Sequence, residues 1–130
     1  MMPELYRHIA TETEPRHRYP ALVWRGILKL IHEALAAIDR GDIETRHNAL
    51  VRAQEFIGWL DAAFRDDLLP AVAPAVHAEH ARLNRLLMEA NLYNDAERLR
   101  QAQDGALAME SMWSRAADLV GTSLEGRWST

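Results

Sequence analysis

Between Pro20 and Ala116 the apolar residues of this chain recur every three or four positions, and nowhere do they alternate in the rhythm of a strand. That period puts them on one face of an α-helix and gives a sheet nothing to bury. Four such stripes are separated by helix punctuation. The first runs Val23, Ile27, Leu30, Ile31, Ala34 and Ile38 behind Pro20, whose missing N–H costs nothing in a first turn. Gly41-Asp42 ends that helix and caps the second, which reads Ile43, His47, Leu50, Ile57, Leu60 and Phe64. Pro70 and Pro74 make residues 66–73 a connection, so the third helix starts near Ala73 and buries Val76, Leu83, Leu86, Leu87 and Ala90. Asn94 and Glu97 have the spacing of a capping box for the fourth, which buries Leu99, Ala102, Ala106, Met109, Trp113 and Ala116.

A helix of about 20 residues spans ~30 Å, so short turns force successive helices to run antiparallel. The expected fold is all-α, an antiparallel up-and-down four-helix bundle. With 130 residues the chain makes one domain, the bundle covering about residues 20–118 and irregular segments occupying 1–19 and 119–130. The absence of Cys rules out disulfides and thiolate zinc sites and suits a reducing compartment. A formal net charge of −4 argues against a nucleic-acid partner. No apolar stretch approaches the ~20 residues of a membrane span, and Pro3, Glu4 and Arg7 interrupt the start before a signal sequence develops. The expectation is a cytoplasmic protein with no membrane partner.

Convergent polar groups are few. Glu44-x-x-His47 has the spacing used by carboxylate-bridged di-iron bundles, which need the motif on two helices; its second copy, Glu14-x-x-His17, falls beside Pro15 in the irregular N-terminal segment. His77 and His80 are three apart, a spacing common on helix surfaces without any ligand. Glu79 projects near Val76 and Leu83, where a carboxylate needs a partner, and His47 is a candidate. There is no phosphate loop and no nucleophile elbow. The expectation is no enzyme, no cofactor and no metal.

Apolar residues outside the core stripes point to binding. Phe56 and Trp59 project roughly 120–170° from the stripe of the second helix; Trp24, Leu28, Ile31 and Leu35 form a shoulder on the first; Ala81, Met88 and Leu92 lie opposite the core face of the third. Burying one such side chain is worth about 1.5–3 kcal/mol, so several left in water call for a cover. The residues allow three: the chain's own ends (Leu5, Tyr6 and Ile9, or Leu124 and Trp128), a homodimer, or an amphipathic helix from a partner. The candidate partner-binding residues are Trp24, Leu28, Leu35, Phe56, Trp59, Met88 and Leu92.

Several segments together resemble the flagellar secretion chaperone family (FliS). Leu87-Met-Glu-Ala-Asn91 followed by Tyr93-Asn-Asp-Ala-Glu97 and a later Trp113 is similar to the family's C-terminal half. Leu22-Val-Trp-Arg-Gly26, Gly41-Asp42, His47, Leu50, Arg52-Ala-Gln54, Ile57 and Leu60 match its N-terminal half, so the likeness runs from about Leu22 to Ala116. The chain departs from the family at Arg25, where members carry Asp, and at His80, where they carry Tyr. Thr11-Glu-Thr-Glu-Pro15 stands for the family's Thr-Ala-Ser-Pro. The resemblance implies a non-enzymatic export chaperone that binds the disordered C-terminal segment of flagellin and blocks its premature polymerisation before type III flagellar secretion. It also implies an N-terminal cap, here Leu5, Tyr6 and Ile9, over an apolar pocket. Other flagellar export components are compatible partners. The alternative is a dimerising helical-bundle adaptor or regulator that binds no flagellin.

Overall fold

The computed structural model describes the backbone of residues 16–128 and the side chains of residues 16–121. A short 3-10 turn at Arg16–Arg18 leads into four helices: α1 (Tyr19–Asp39), α2 (Ile43–Ala63), α3 (Ala73–Tyr93) and α4 (Ala96–Trp128). No strand occurs among the described residues. Each helix packs on its chain neighbours and α4 closes the ring against α1, while the backbones of the diagonal pairs α1/α3 and α2/α4 stay apart. This is the antiparallel up-and-down four-helix bundle expected from the apolar period.

Local chemistry sets the helix ends. Pro20 and Pro74 sit in the first turns of α1 and α3, where no backbone donor is lost. Gly41 turns the chain at φ 71°, and the Asp42 carboxylate then accepts the Thr45 N–H at 3.1 Å to start α2. The α3–α4 corner differs from the expected capping box by one residue. Asn94 is the left-handed C-cap of α3 (φ 53°), and Asp95 caps α4, its Oδ1 accepting from the Glu97 and Arg98 amides at 2.9 and 3.1 Å. Asn enters the left-handed region more readily than most residues, so Asn94 takes the turn and Asp95 takes the cap. At 1.5 Å per residue α4 is about 50 Å long against ~32 Å for each of the others, so it runs on past residue 118, where the apolar stripe suggested its end.

Val23, Trp24, Ile27, Ile31, Leu50, Ile57, Leu83, Leu87 and Leu99 make the centre of the core. Gly105 lets α4 approach α3 closely, because a Cβ there would collide with the Leu83 side chain. Two expected core positions are solvent-exposed: Ile43 and His47 lie outside the buried arc of α2, which uses Ala49, Leu50, Ala53, Phe56, Ile57 and Leu60. On α4 the last buried position among the described side chains is Ala117, with Ala116 only half-buried.

Candidate functional site

Two of the expected surface residues are core residues. Trp24 is 0% exposed and Phe56 3% exposed. The reason is geometric: a helix in a four-membered ring faces two neighbours at once, so its buried arc is wider than one stripe. Phe56 packs toward α1, beside Gly26, Leu30 and Arg52, and Trp24 reaches α3, its ring 5.8 Å from that of His80. Leu28, Leu35 and Trp59 are half-buried at the core edge. Met88 and Leu92 are open to solvent at 52% and 70%. Leu5, Tyr6 and Ile9 lie outside the described residues, as do Glu14 and the side chains of Leu124 and Trp128.

The apolar surface extends beyond the expected set. Tyr93, Leu107, Met112, Leu119 and Val120 are exposed on α3 and α4, and Leu68, Leu69 and Val72 on the α2–α3 connection. Met88 and Leu92 stand one turn apart on one face of α3, while Met112 and Leu119 share a face of α4 at two turns.

At the bundle end formed by the start of α1, the end of α2 and the α2–α3 connection lies a cavity of about 510 Å³. Its walls include Tyr19, Trp24, Trp59, Phe64, His80 and Trp113. Three of the four Trp in the chain therefore meet at one place, a concentration that the stripe-by-stripe reading of the sequence missed. Phe64 stands edge-on to Trp113, with centroids 6.2 Å apart. Two buried polar atoms on these walls, Trp24 Nε1 and His80 Nε2, have no hydrogen-bond partner among the described residues.

Beside the cavity is a polar cluster that the sequence did not reveal. The buried side chain that needed a partner is His80, 3% exposed, and not Glu79, which pairs with Arg82 at 2.6 Å. His47 is exposed and accepts from the Asn91 amide at 3.0 Å. The partner of His80 is Asp61 on α2, whose Oδ1 receives the Nδ1–H of His80 at 2.8 Å and that of His77 at 2.5 Å. His77 gives its Nε2–H to Asp66 at 2.7 Å. Hydrogen bonds to Asp61 and then Asp66 raise the His77 pKa above its ordinary value. Partial burial pushes the Asp61 carboxyl up, but the hydrogen bonds from His77 and His80 outweigh it and hold the carboxyl below its usual range. Asp61, His77 and His80 are the one group of the described residues with enough converging donors to hold a metal.

The opposite end of the bundle is locked. Arg46 on α2 donates to Asn91 Oδ1 at 3.2 Å, the Asn91 carbonyl at 3.0 Å and Asn94 Oδ1 at 2.5 Å. Glu89 accepts from Arg98 across the turn at 2.9 Å, and the next residue, Ala90, is fully buried. The Glu-Ala-Asn segment thus fastens three helix ends together. Arg25 is exposed and reaches Glu110 on α4 at 2.9 Å. No helix among the described residues is long and apolar enough to cross a membrane.

Comparison with known proteins agrees with this architecture. The family model described as flagellar protein FliS matches residues 2–120. A relative from Bacillus subtilis (strain 168), flagellar secretion chaperone FliS, is 23% identical over 111 residues, which span 85% of this chain and 82% of the relative. A match over nearly the whole bundle, together with the Glu-Ala-Asn corner and the four-helix ring, places the chain: it belongs to the flagellar protein FliS family.

Proposed function

We propose that this chain is a flagellar export chaperone that binds the disordered C-terminal segment of flagellin in the cytoplasm and prevents its polymerisation before secretion. Family membership and the name of the relative support this reading. The observation that carries it is the exposed apolar surface of α3 and α4, with Met88 and Leu92 at 52% and 70% and Met112 and Leu119 at 39% and 73% exposure. Spacings of four and seven residues suit the anchors of an amphipathic helix laid along the bundle. Covering each such side chain contributes about 1.5–3 kcal/mol. A disordered ligand gives part of this back as ordering entropy, so it binds specifically and stays removable. Trp59, Leu28 and Leu35 extend the surface at the core edge, and Leu5, Tyr6 and Ile9 serve as its displaceable cap.

The test is titration calorimetry of the full chain with the C-terminal fragment of flagellin from the same organism. Binding is expected to carry a negative heat-capacity change and a gain of helix. Met88→Glu with Leu92→Glu weakens it tenfold or more, about 1.4 kcal/mol, and leaves the melting temperature unchanged because both side chains already face water. Removing residues 1–10 speeds association. Absence of heat at two temperatures sinks the proposal. A stable dimer that the same double substitution dissociates, with no flagellin binding, puts the adaptor reading in its place.

A further inference from the structure

We propose that Asp61, His77 and His80 form a binding site for a divalent transition-metal ion of the zinc class, set between the end of α2 and the start of α3. The three donor atoms lie within 4.8 Å of one another. His77 and His80 are three apart on α3 and share a face, and both direct Nδ1 at a single atom, Asp61 Oδ1, at 2.5 and 2.8 Å. Ligands of a tetrahedral zinc at ~2.0–2.1 Å stand roughly 3.3 Å apart. The two nitrogen–Oδ1 separations therefore need to open by about 0.5–0.8 Å to admit an ion, a change within reach of small torsional adjustments.

The donor set selects the ion. Two imidazoles and one carboxylate are the ligands of zinc and its first-row neighbours, whereas calcium and magnesium want oxygen throughout. Three protein ligands leave a fourth position for water or a ligand. A metal-bound histidine ordinarily gives its other ring N–H to a carboxylate that fixes its orientation, and His77 Nε2 already has Asp66 at 2.7 Å for that purpose. The ion takes the place of the Nδ1 protons now aimed at Asp61: His77 gives up its Nδ1 proton and keeps the one on Asp66, and His80 binds as the neutral imidazole with its single proton shifted from Nδ1 to Nε2. Because His80 also lines the aromatic cavity, the ion ties the end of α2 to the cavity wall.

The inference is independent of flagellin binding, and metal titration of the full-length chelator-treated protein tests it. Zinc is expected to bind at one equivalent per chain and raise the melting temperature, and cobalt(II) is expected to give the intense visible bands of a four-coordinate site. Asp61→Asn and His77→Ala abolish the bands, and Asp66→Asn lowers affinity about 10- to 100-fold by releasing the His77 ring. Asp61 and Asp66 are 41% and 61% exposed in their side chains, so the Asn variants fold, which circular dichroism verifies. His47→Ala leaves binding unchanged, which separates the site from the Glu44-x-x-His47 motif. Substoichiometric zinc with no cobalt bands, or binding that persists in Asp61→Asn, overturns the proposal.

Discussion

Gly58 and Gly105 both sit inside helices, and replacing each by Ala is expected to change stability in opposite directions. Helix propensity alone favours Ala over Gly by about 0.8–1.0 kcal/mol at either position. At Gly58 nothing lies within 4 Å of where a Cβ would be, so the propensity gain stands and Gly58→Ala stabilises by about 0.5–1 kcal/mol. At Gly105 the new methyl meets the Leu83 Cδ2 and stands 2.9 Å from an Arg82 guanidinium nitrogen. The arginine can move once its bonds to Glu79 give, but Leu83 is 1% exposed and has no free space to turn into. Overpacking of this kind costs about 1–3 kcal/mol, occasionally more, so after the propensity gain Gly105→Ala is net destabilising by up to about 2 kcal/mol. Urea unfolding followed by far-ultraviolet circular dichroism gives both values, and the melting temperatures should separate by roughly 5–10 °C for a chain of this size. If Gly105→Ala is as stable as Gly58→Ala, the close α3–α4 approach described here is wrong.

Two further substitutions probe the core and the caps. Phe56→Ala is expected to destabilise the bundle by about 3–5 kcal/mol, because it empties a buried site against α1, while Met88→Ala on the solvent side stays within ~0.5 kcal/mol; denaturant midpoints distinguish them. The Arg98 backbone N–H, followed by its guanidinium, holds the Asp95 carboxyl below its ordinary value, so the stabilisation from that charge is present above the unfolded-state pKa and lost as pH falls through the folded one. Asp95→Asn should therefore melt below the parent at neutral pH and converge with it in acid below the ordinary aspartate range. A deficit that stays constant into acid refutes that assignment.

The helices and their order were legible because their signals are local. Pro20, Gly41-Asp42 and Pro74 act through the backbone of their own turn, so no distant residue can overrule them. The spacing points to Asn94 as the cap, one position early, because Asn94 and Asp95 are both good cap residues and only the left-handed turn decides between them. On a helical wheel Trp24 and Phe56 fall outside the single stripes of α1 and α2, because the wheel shows neither that α2 touches two neighbours nor that the Trp24 ring crosses the bundle to His80 on α3. The Asp61–His77–His80 cluster was illegible for a different reason. Asp61 is 16 and 19 residues from its histidines, and nothing in the spacing says that the end of α2 will stand beside the start of α3.

The two ends of the bundle are fastened unequally, and this governs how the molecule opens. At the end held by Arg46, Asn91 and the Asp42 and Asp95 caps, separating the helices breaks several charge-assisted hydrogen bonds at once. The other end has the bonds of His77 and His80 to Asp61, but it is joined by an exposed connection over residues 64–72 and contains a cavity and two buried polar atoms without partners among the described residues. Local unfolding free energies therefore fall along the bundle axis, and amide exchange should be fastest around that connection and slowest through the middle of α2 and α3. Opening is therefore expected to start at the cavity end, where a ligand can loosen or tighten the structure while the helix order stays fixed by the other end.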